Sequence, residues 1–74
     1  MKLGSIPHIY NIDKIKVYRY NKLVQEVWVG HHTLGWHIKE DEVLREYTGN
    51  VVEEMSIIIE GCLSEIIVLE IFLK

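Results

Sequence analysis

The last third of the chain is the feature that most limits how it can fold. Of the 23 residues from Val51 to Leu73, 15 are apolar. Apolar surface on this scale is unfavourable in water, so it has to be buried in a core, in an interface between chains, or in both. The rest of the 74 residues must be arranged around this stretch.

The first half of the stretch has the spacing of an amphipathic helix. Asn50 is a candidate N-cap, and Glu53 stands three residues later, where it would complete a capping box. Apolar residues then recur at steps of three and four, which places them on one stripe of a helix. This stripe consists of Val51, Val52, Met55, Ile58, Ile59, Cys62, Leu63, Ile66 and Ile67. The pattern predicts a helix from Val51 to about Leu63.

The second half predicts a strand. Residues 66–73 are apolar on nearly every side and rich in β-branched side chains, which favours a central strand. Two alternatives stay open. One is a continuous helix to the end of the chain, used for pairing with a second copy. The other makes Ser56–Ile59 a strand that turns back at Glu60-Gly61, because three consecutive isoleucines favour a strand.

The first half of the chain predicts a hairpin and shorter elements. Residues 1–13 have no clear period and include Pro7, so they are expected to form an arm. Residues 14–29 contain two β-rich runs around Asn21-Lys22, which predicts a hairpin with Arg19 and Glu26 on one face. Trp36-His37-Ile38 are expected to form a short third strand. Residues 39–47 predict a short helix that ends before Gly49.

Together these elements predict a small α+β domain. It would contain an N-terminal antiparallel hairpin or three-stranded meander, a short helix, an amphipathic helix and a C-terminal strand, with residues 1–13 as an arm and 14–74 as a single domain. A chain of this length buries only about 60% of its unfolded surface, and a lone cysteine forms no intrachain disulfide. Self-association would supply the missing burial. The predicted dimer interface consists of Ile66, Val68, Ile71 and Phe72.

Charge is divided unequally along the chain. Residues 1–39 carry a formal charge of +4 and residues 40–74 carry −7, for a total of −3. An acidic surface attracts a basic partner, and charge complementarity gives such a contact its specificity. The acidic half therefore predicts a partner-binding face for another protein, formed by Glu40, Asp41, Glu46, Glu53, Glu54 and Glu60.

Two other binding functions remain as alternatives. Lysine and tyrosine side chains on one face of the hairpin could neutralise phosphates and stack on bases of a nucleic acid, although a pI near 5.7 counts against this. These residues are Lys14, Lys16, Tyr18 and Tyr20. A metal site could use His31, His32 and His37, with a further ligand from His8, Glu40, Asp41 or Cys62.

The sequence contains no glycine-rich phosphate loop, nucleophile elbow or paired-cysteine motif. It also lacks the apolar region of a signal peptide, and glutamates interrupt the C-terminal stretch, so neither export nor a membrane span is expected. Cys62 on the apolar stripe predicts a buried thiol in a reducing compartment, which indicates the cytoplasm. The leading hypothesis is a small non-enzymatic protein-binding module, a regulator or an inhibitor, that acts as a homodimer without a cofactor and occludes a partner surface.

Overall fold

The computed structural model describes all 74 residues and contains one four-stranded mixed sheet. Its strands are β1 (Lys14–Arg19), β2 (Lys22–Trp28), β3 (Val52–Glu60) and β4 (Ile66–Leu73), in the order β2-β1-β4-β3. The central strands β1 and β4 are parallel, and each is antiparallel to the edge strand beside it. One helix, α1 (Leu34–Glu40), and two 3₁₀ turns, at Leu3–Ser5 and Leu44–Tyr47, complete the chain. The predicted α+β class is confirmed.

The core lies between the sheet and the helical elements. Side chains alternate along a strand, so Ile15 and Val17 of β1 share one face of the sheet with Leu69 and Ile71 of β4. We call this the helix-side face, and we call the opposite one the open face. The first 13 residues also contribute to the core, which consists of Leu3, Ile6, Ile12, Ile15, Val17, Val29, Leu34, Ile38, Leu44, Leu69, Ile71 and Leu73.

The hairpin of β1 and β2 forms, but its turn lies one residue earlier than predicted. Tyr20 and Asn21 are the turn residues, with φ angles of +54° and +60°. Two positive φ values match the twist of the flanking strands, and asparagine tolerates this conformation. A bulge opposite Val17 and Tyr18 shifts the register again. As a result Glu26 lies opposite Lys16 on the open face, so the predicted shared face with Arg19 is wrong.

The predicted amphipathic helix over residues 51–63 is also wrong. Residues 52–60 form β3, which pairs with β4 along its length. The alternative based on the three isoleucines identified the strand and the turn that follows Glu60. Gly61, with φ of +102°, reverses the chain there. Asn50 therefore caps no helix, and Cys62 is exposed in the turn instead of being buried.

Helical structure occurs elsewhere than expected. The predicted strand at Trp36–Ile38 lies within α1, which begins after Thr33 because the Thr33 hydroxyl accepts a hydrogen bond from Trp36 N at 3.1 Å. The predicted helix over residues 39–47 is divided at Asp41, where α1 ends and a 3₁₀ turn follows. Neither α1 nor the 3₁₀ turns approach the length and apolar character that a membrane-crossing helix requires.

Candidate functional site

The open face presents three rows of side chains that run across the strands. The pairing of the strands sets these rows, because residues opposite each other point to the same side. One row is Leu23, Tyr18, Phe72 and Glu54; the next is Glu26, Lys16, Glu70 and Ser56; the third is Trp28, Lys14, Val68 and Ile58. The face therefore has an aromatic end, a charged middle and a mainly apolar end.

Lysines of β1 and glutamates of the two edge strands neutralise each other across the open face. Lys14 Nζ lies 2.8 Å from Glu26 Oε1 and 3.2 Å from Glu60 Oε1, and Lys16 Nζ donates a hydrogen bond to Glu60 Oε2. The hydrogen bond with Glu26 raises the pKa of Lys14, and the one with Lys16 lowers the pKa of Glu60. The shifted pKa values of Lys14, Lys16 and Glu60 keep these three groups charged near neutral pH. They serve the sheet itself, and Lys14 is only 7% exposed.

The two tyrosines of the nucleic-acid alternative have different surroundings. Tyr18 stacks on Phe72, with ring centroids 5.0 Å apart and planes 14° from parallel. Burial, together with the neighbouring carboxylate of Glu70, raises the pKa of Tyr18, so its phenol is neutral. Tyr20 is exposed, and the Arg19 guanidinium lies 4.7 Å from its ring centroid. Together with the neutralised lysines, this arrangement offers a nucleic acid few free cations on the hairpin.

A cleft of about 340 Å³ opens at the aromatic end of the open face, where the β1–β2 turn approaches the start of β3. It is lined by Tyr18, Tyr20, Asn21, Glu53, Glu54, Phe72, Leu73 and Lys74. The pairing with β4 shifts between Val52 and Glu54, so Glu53 is an extra residue in the strand. Both Glu53 and Glu54 at this bulge line the cleft, and neither forms an ion pair.

The other acids of the predicted partner-binding face lie elsewhere. Glu60 belongs to the lysine network, and Asp41 accepts hydrogen bonds from Val43 N and Leu44 N, both at 2.9 Å. Burial acts to raise the pKa of Asp41, but these hydrogen bonds lower it below its ordinary value. Glu40 and Glu46 are exposed and line neither cavity of the structure. Only Glu53 and Glu54 of this set stand beside a cleft.

The residues of the predicted dimer interface are largely used inside the chain. Val68 and Ile71 are fully buried, while Ile66 and Phe72 are half-buried. The physical reason is that β4 is a central strand, paired with β1 on one side and β3 on the other. A second copy would therefore have to use another surface, and the dimer itself stays a prediction.

The histidines of the metal alternative do not converge on one point. His32 stacks on Trp36 with ring centroids 3.7 Å apart, and His37 Nε2 contacts the carbonyl oxygen of Val29. His8 Nδ1 accepts a hydrogen bond from Leu34 N at 3.4 Å, while His31 is exposed. No group of three or more histidine, cysteine or acidic side chains is placed to hold a metal ion.

No sequence pattern indicates a role in the cleft for Asn21, Leu73 or Lys74, and Phe72 is predicted for a dimer interface. Strand register could have connected Phe72 with Tyr18 and Glu54, but register depends on the parallel pairing of β1 with β4, which local patterns do not contain. No protein-family model, curated protein sequence or solved structure matches this chain.

Proposed function

We propose that the chain is a small non-enzymatic protein-binding module whose cleft receives a basic side chain from an extended segment of another protein. Binding there would occlude the segment, as a regulator or an inhibitor does. One observation carries the proposal: Glu53 and Glu54, which form no ion pair, line the same cleft as the stacked rings of Tyr18 and Phe72.

Arginine is the side chain that best suits this combination. Its guanidinium forms paired hydrogen bonds to carboxylates and also stacks on aromatic faces. Contact with rings partly removes water from the cation, which strengthens its attraction to the carboxylates. Lys74 is the only cationic side chain that lines the cleft, so it would compete with an incoming arginine.

The distribution of charge around the cleft also supports a basic partner. Lys14 and Lys16 are neutralised by carboxylates of the same chain, whereas Glu53 and Glu54 are unpaired and exposed. Such a local negative field accelerates encounter with a basic segment and disfavours acidic ones. The expected compartment remains the cytoplasm, since an exposed, unpaired Cys62 thiol persists best in reducing surroundings.

The test is titration with a blocked pentapeptide, acetyl-Gly-Arg-Gly-Arg-Gly-amide, followed by backbone amide NMR and calorimetry. We expect saturable binding with the largest shifts at Tyr18, Tyr20 and Phe72. Changing Glu53→Gln together with Glu54→Gln should weaken binding at least tenfold, because each charge-assisted hydrogen bond contributes about 1.5–3 kcal/mol. Lys74→Ala should tighten binding by removing the competing ammonium.

The control removes the same charge from another place. Glu40→Gln together with Glu46→Gln deletes two exposed carboxylates that line no cavity, and it should leave the affinity within about threefold. Equal weakening by both double variants would mean that the peptide responds only to net charge. That result, or the absence of shifts at the cleft, would reject the proposed function.

A further inference from the structure

Strand β3 is an unprotected edge of the sheet. At its start Val52 N donates a hydrogen bond to Met1 O, but its other eight residues pair only with β4. Alternate backbone N–H and C=O groups on the outer side of residues 53–60 therefore have no strand partner. Edge strands usually carry a charge, a proline or a bulge that blocks further pairing. Between Met55 and Ile59 the edge has none of these. The opposite edge, β2, is protected by Lys22, Glu26 and its bulge.

Apolar side chains are exposed along the same edge. Ile57 and Ile59 are 57% and 63% exposed on the helix-side face, where the helical layer does not reach them. Beside them lies an open cavity of about 370 Å³, lined by Ile9, Met55, Ser56, Ile57 and Leu69. Unpaired backbone and unburied isoleucines thus occur together, which is the combination that strand addition satisfies.

We propose that β3 pairs antiparallel with β3 of a second copy of this chain, about a two-fold axis centred on Ile58. The two four-stranded sheets would then form one continuous sheet with both helical layers on the same side. In this register Ile57 of each copy lies opposite Ile59 of the other. The two-fold axis repeats this pair, so all four exposed isoleucines of the dimer gain a partner.

The positions of the glutamates in β3 favour one register and favour a second copy of the chain as the partner. Centring on Ile58 sets Glu60 opposite Ser56, and no glutamate faces another. Centring on Ile57 instead opposes Glu54 and Glu60, while centring on Ser56 sets Ile59 opposite Glu53, so both alternatives are worse. The edge is therefore complementary to itself, and a two-fold pairing closes it instead of propagating a fibre. This inference does not depend on the proposed role of the cleft.

Cross-linking tests the register directly. In a Cys62→Ser background, Ile58→Cys places two thiols on the axis with Cα atoms about 4.5–5.5 Å apart, which suits a disulfide. Mild oxidation should convert this variant almost completely to a covalent dimer. Ser56→Cys is the matched control on the same face, and it should stay uncross-linked, because its two copies lie about 13 Å apart along the strands. Cross-linking of Ser56→Cys with none at Ile58→Cys would overturn the register.

Analytical ultracentrifugation tests whether the β3 edge is the dimer interface. The unmodified chain should show twice its monomer mass of 8.7 kDa, and Ile57→Lys should raise the dimer dissociation constant at least 100-fold with an unchanged circular dichroism spectrum. Leu23→Lys, half-exposed on the opposite edge, should leave it unchanged. A folded monomer at 100 μM, or a dimer insensitive to Ile57→Lys, would refute the proposal. The Glu53→Gln and Glu54→Gln variant should still dimerise, which separates this inference from peptide binding.

Discussion

Replacing Asp41 by alanine removes the carboxylate that connects the end of α1 to the 3₁₀ turn of Leu44–Tyr47. Asp41 Oδ1 accepts hydrogen bonds from Val43 N and Leu44 N at 2.9 Å, and both of its oxygens lie 3.3 Å from Gln25 Nε2 of β2. Leu44 is fully buried, so its position depends on how this turn begins. Without the carboxylate, two backbone N–H groups lose their acceptor.

The expected cost follows from these contacts. Loss of a capping side chain costs about 0.5–2 kcal/mol, and the longer contact with Gln25 adds little. We therefore expect Asp41→Ala to lower the free energy of unfolding by about 1–2 kcal/mol. For a domain of this size each kcal/mol corresponds to about 4–8 °C, so Tm should fall by about 4–16 °C.

Urea unfolding at pH 7, followed by tryptophan fluorescence at a fixed protein concentration, measures the change. Glu40→Ala is the matched control, since Glu40 is adjacent, exposed and free of side-chain hydrogen bonds, and its change should stay below about 0.5 kcal/mol. The pKa of Asp41 is lowered from 3.8 in the folded chain, so its contribution is complete above that pH and is lost as the pH falls through the folded value.

Two results would refute this account of Asp41. One is an unfolding free energy for Asp41→Ala within about 0.3 kcal/mol of that for Glu40→Ala, which would mean that the turn does not need its acceptor. The other is a difference between the two variants that does not shrink at all as the pH is lowered from 7 into the acid range, because protonation of the Asp41 carboxylate should remove its contribution.

Two further predictions concern the β3–β4 hairpin and α1. Glu60→Gln should remove part of the acid sensitivity of the fold. Because the pKa of Glu60 is lowered from 4.5 in the folded chain, its contribution to stability is present above that pH and is lost as the pH falls below it. The Tm of the variant should therefore change less between pH 5 and 3 than the Tm of the unmodified chain, and parallel profiles of Tm against pH would contradict this. Gly61→Ala should lower the urea midpoint, because φ is +102° and a Cβ would collide with Ser64 O. Gly35→Ala, in open space within α1, should instead raise stability by about 0.5–1 kcal/mol. Shifts of the same sign in the two variants would be inconsistent with the structure.

Local patterns predicted the strands that have a clear period, but not β3. Alternating and β-branched residues identify β1, β2 and β4 because those signals lie within each segment. In β3 the same residues fit a helical stripe from Val51 to Ile59 and also a strand of three isoleucines. The deciding factor is the side of β4 that β1 leaves free, because β3 pairs with β4 there. That information is non-local, and tertiary pairing overrides the helical period.

The candidate site, like the fold, could be predicted only in part from local patterns. The period of two correctly placed Lys14, Lys16 and Tyr18 on one face, but the charge that neutralises both lysines comes from Glu60, over forty residues later. Counting acids does not distinguish a carboxylate used by the fold from a free one. Glu53 differs from Glu60 only through strand register and a bulge, and neither is readable from neighbouring residues.

The proposed dimer fixes the distance between its two clefts, and this distance determines which bivalent partners can bind both. In a dimer centred on Ile58, the two copies of Glu54 lie eight residues apart along the joined strands, or about 26 Å. A flexible glycine-serine linker has a root-mean-square length of about 5–6 Å × √n, so about 20–25 residues between two arginine motifs should match this separation.

A peptide with two Gly-Arg-Gly-Arg-Gly motifs and such a linker should therefore bind at least tenfold more tightly than a single motif, since the second contact becomes intramolecular. With a linker of four residues the gain should disappear, because even a fully extended linker of that length spans only about 14 Å. Calorimetry on the unmodified chain and on the monomeric Ile57→Lys variant separates the gain in affinity that depends on the dimer from any gain that does not. A gain that survives in Ile57→Lys, or one that is independent of linker length, would show that the clefts are not held apart by β3 pairing.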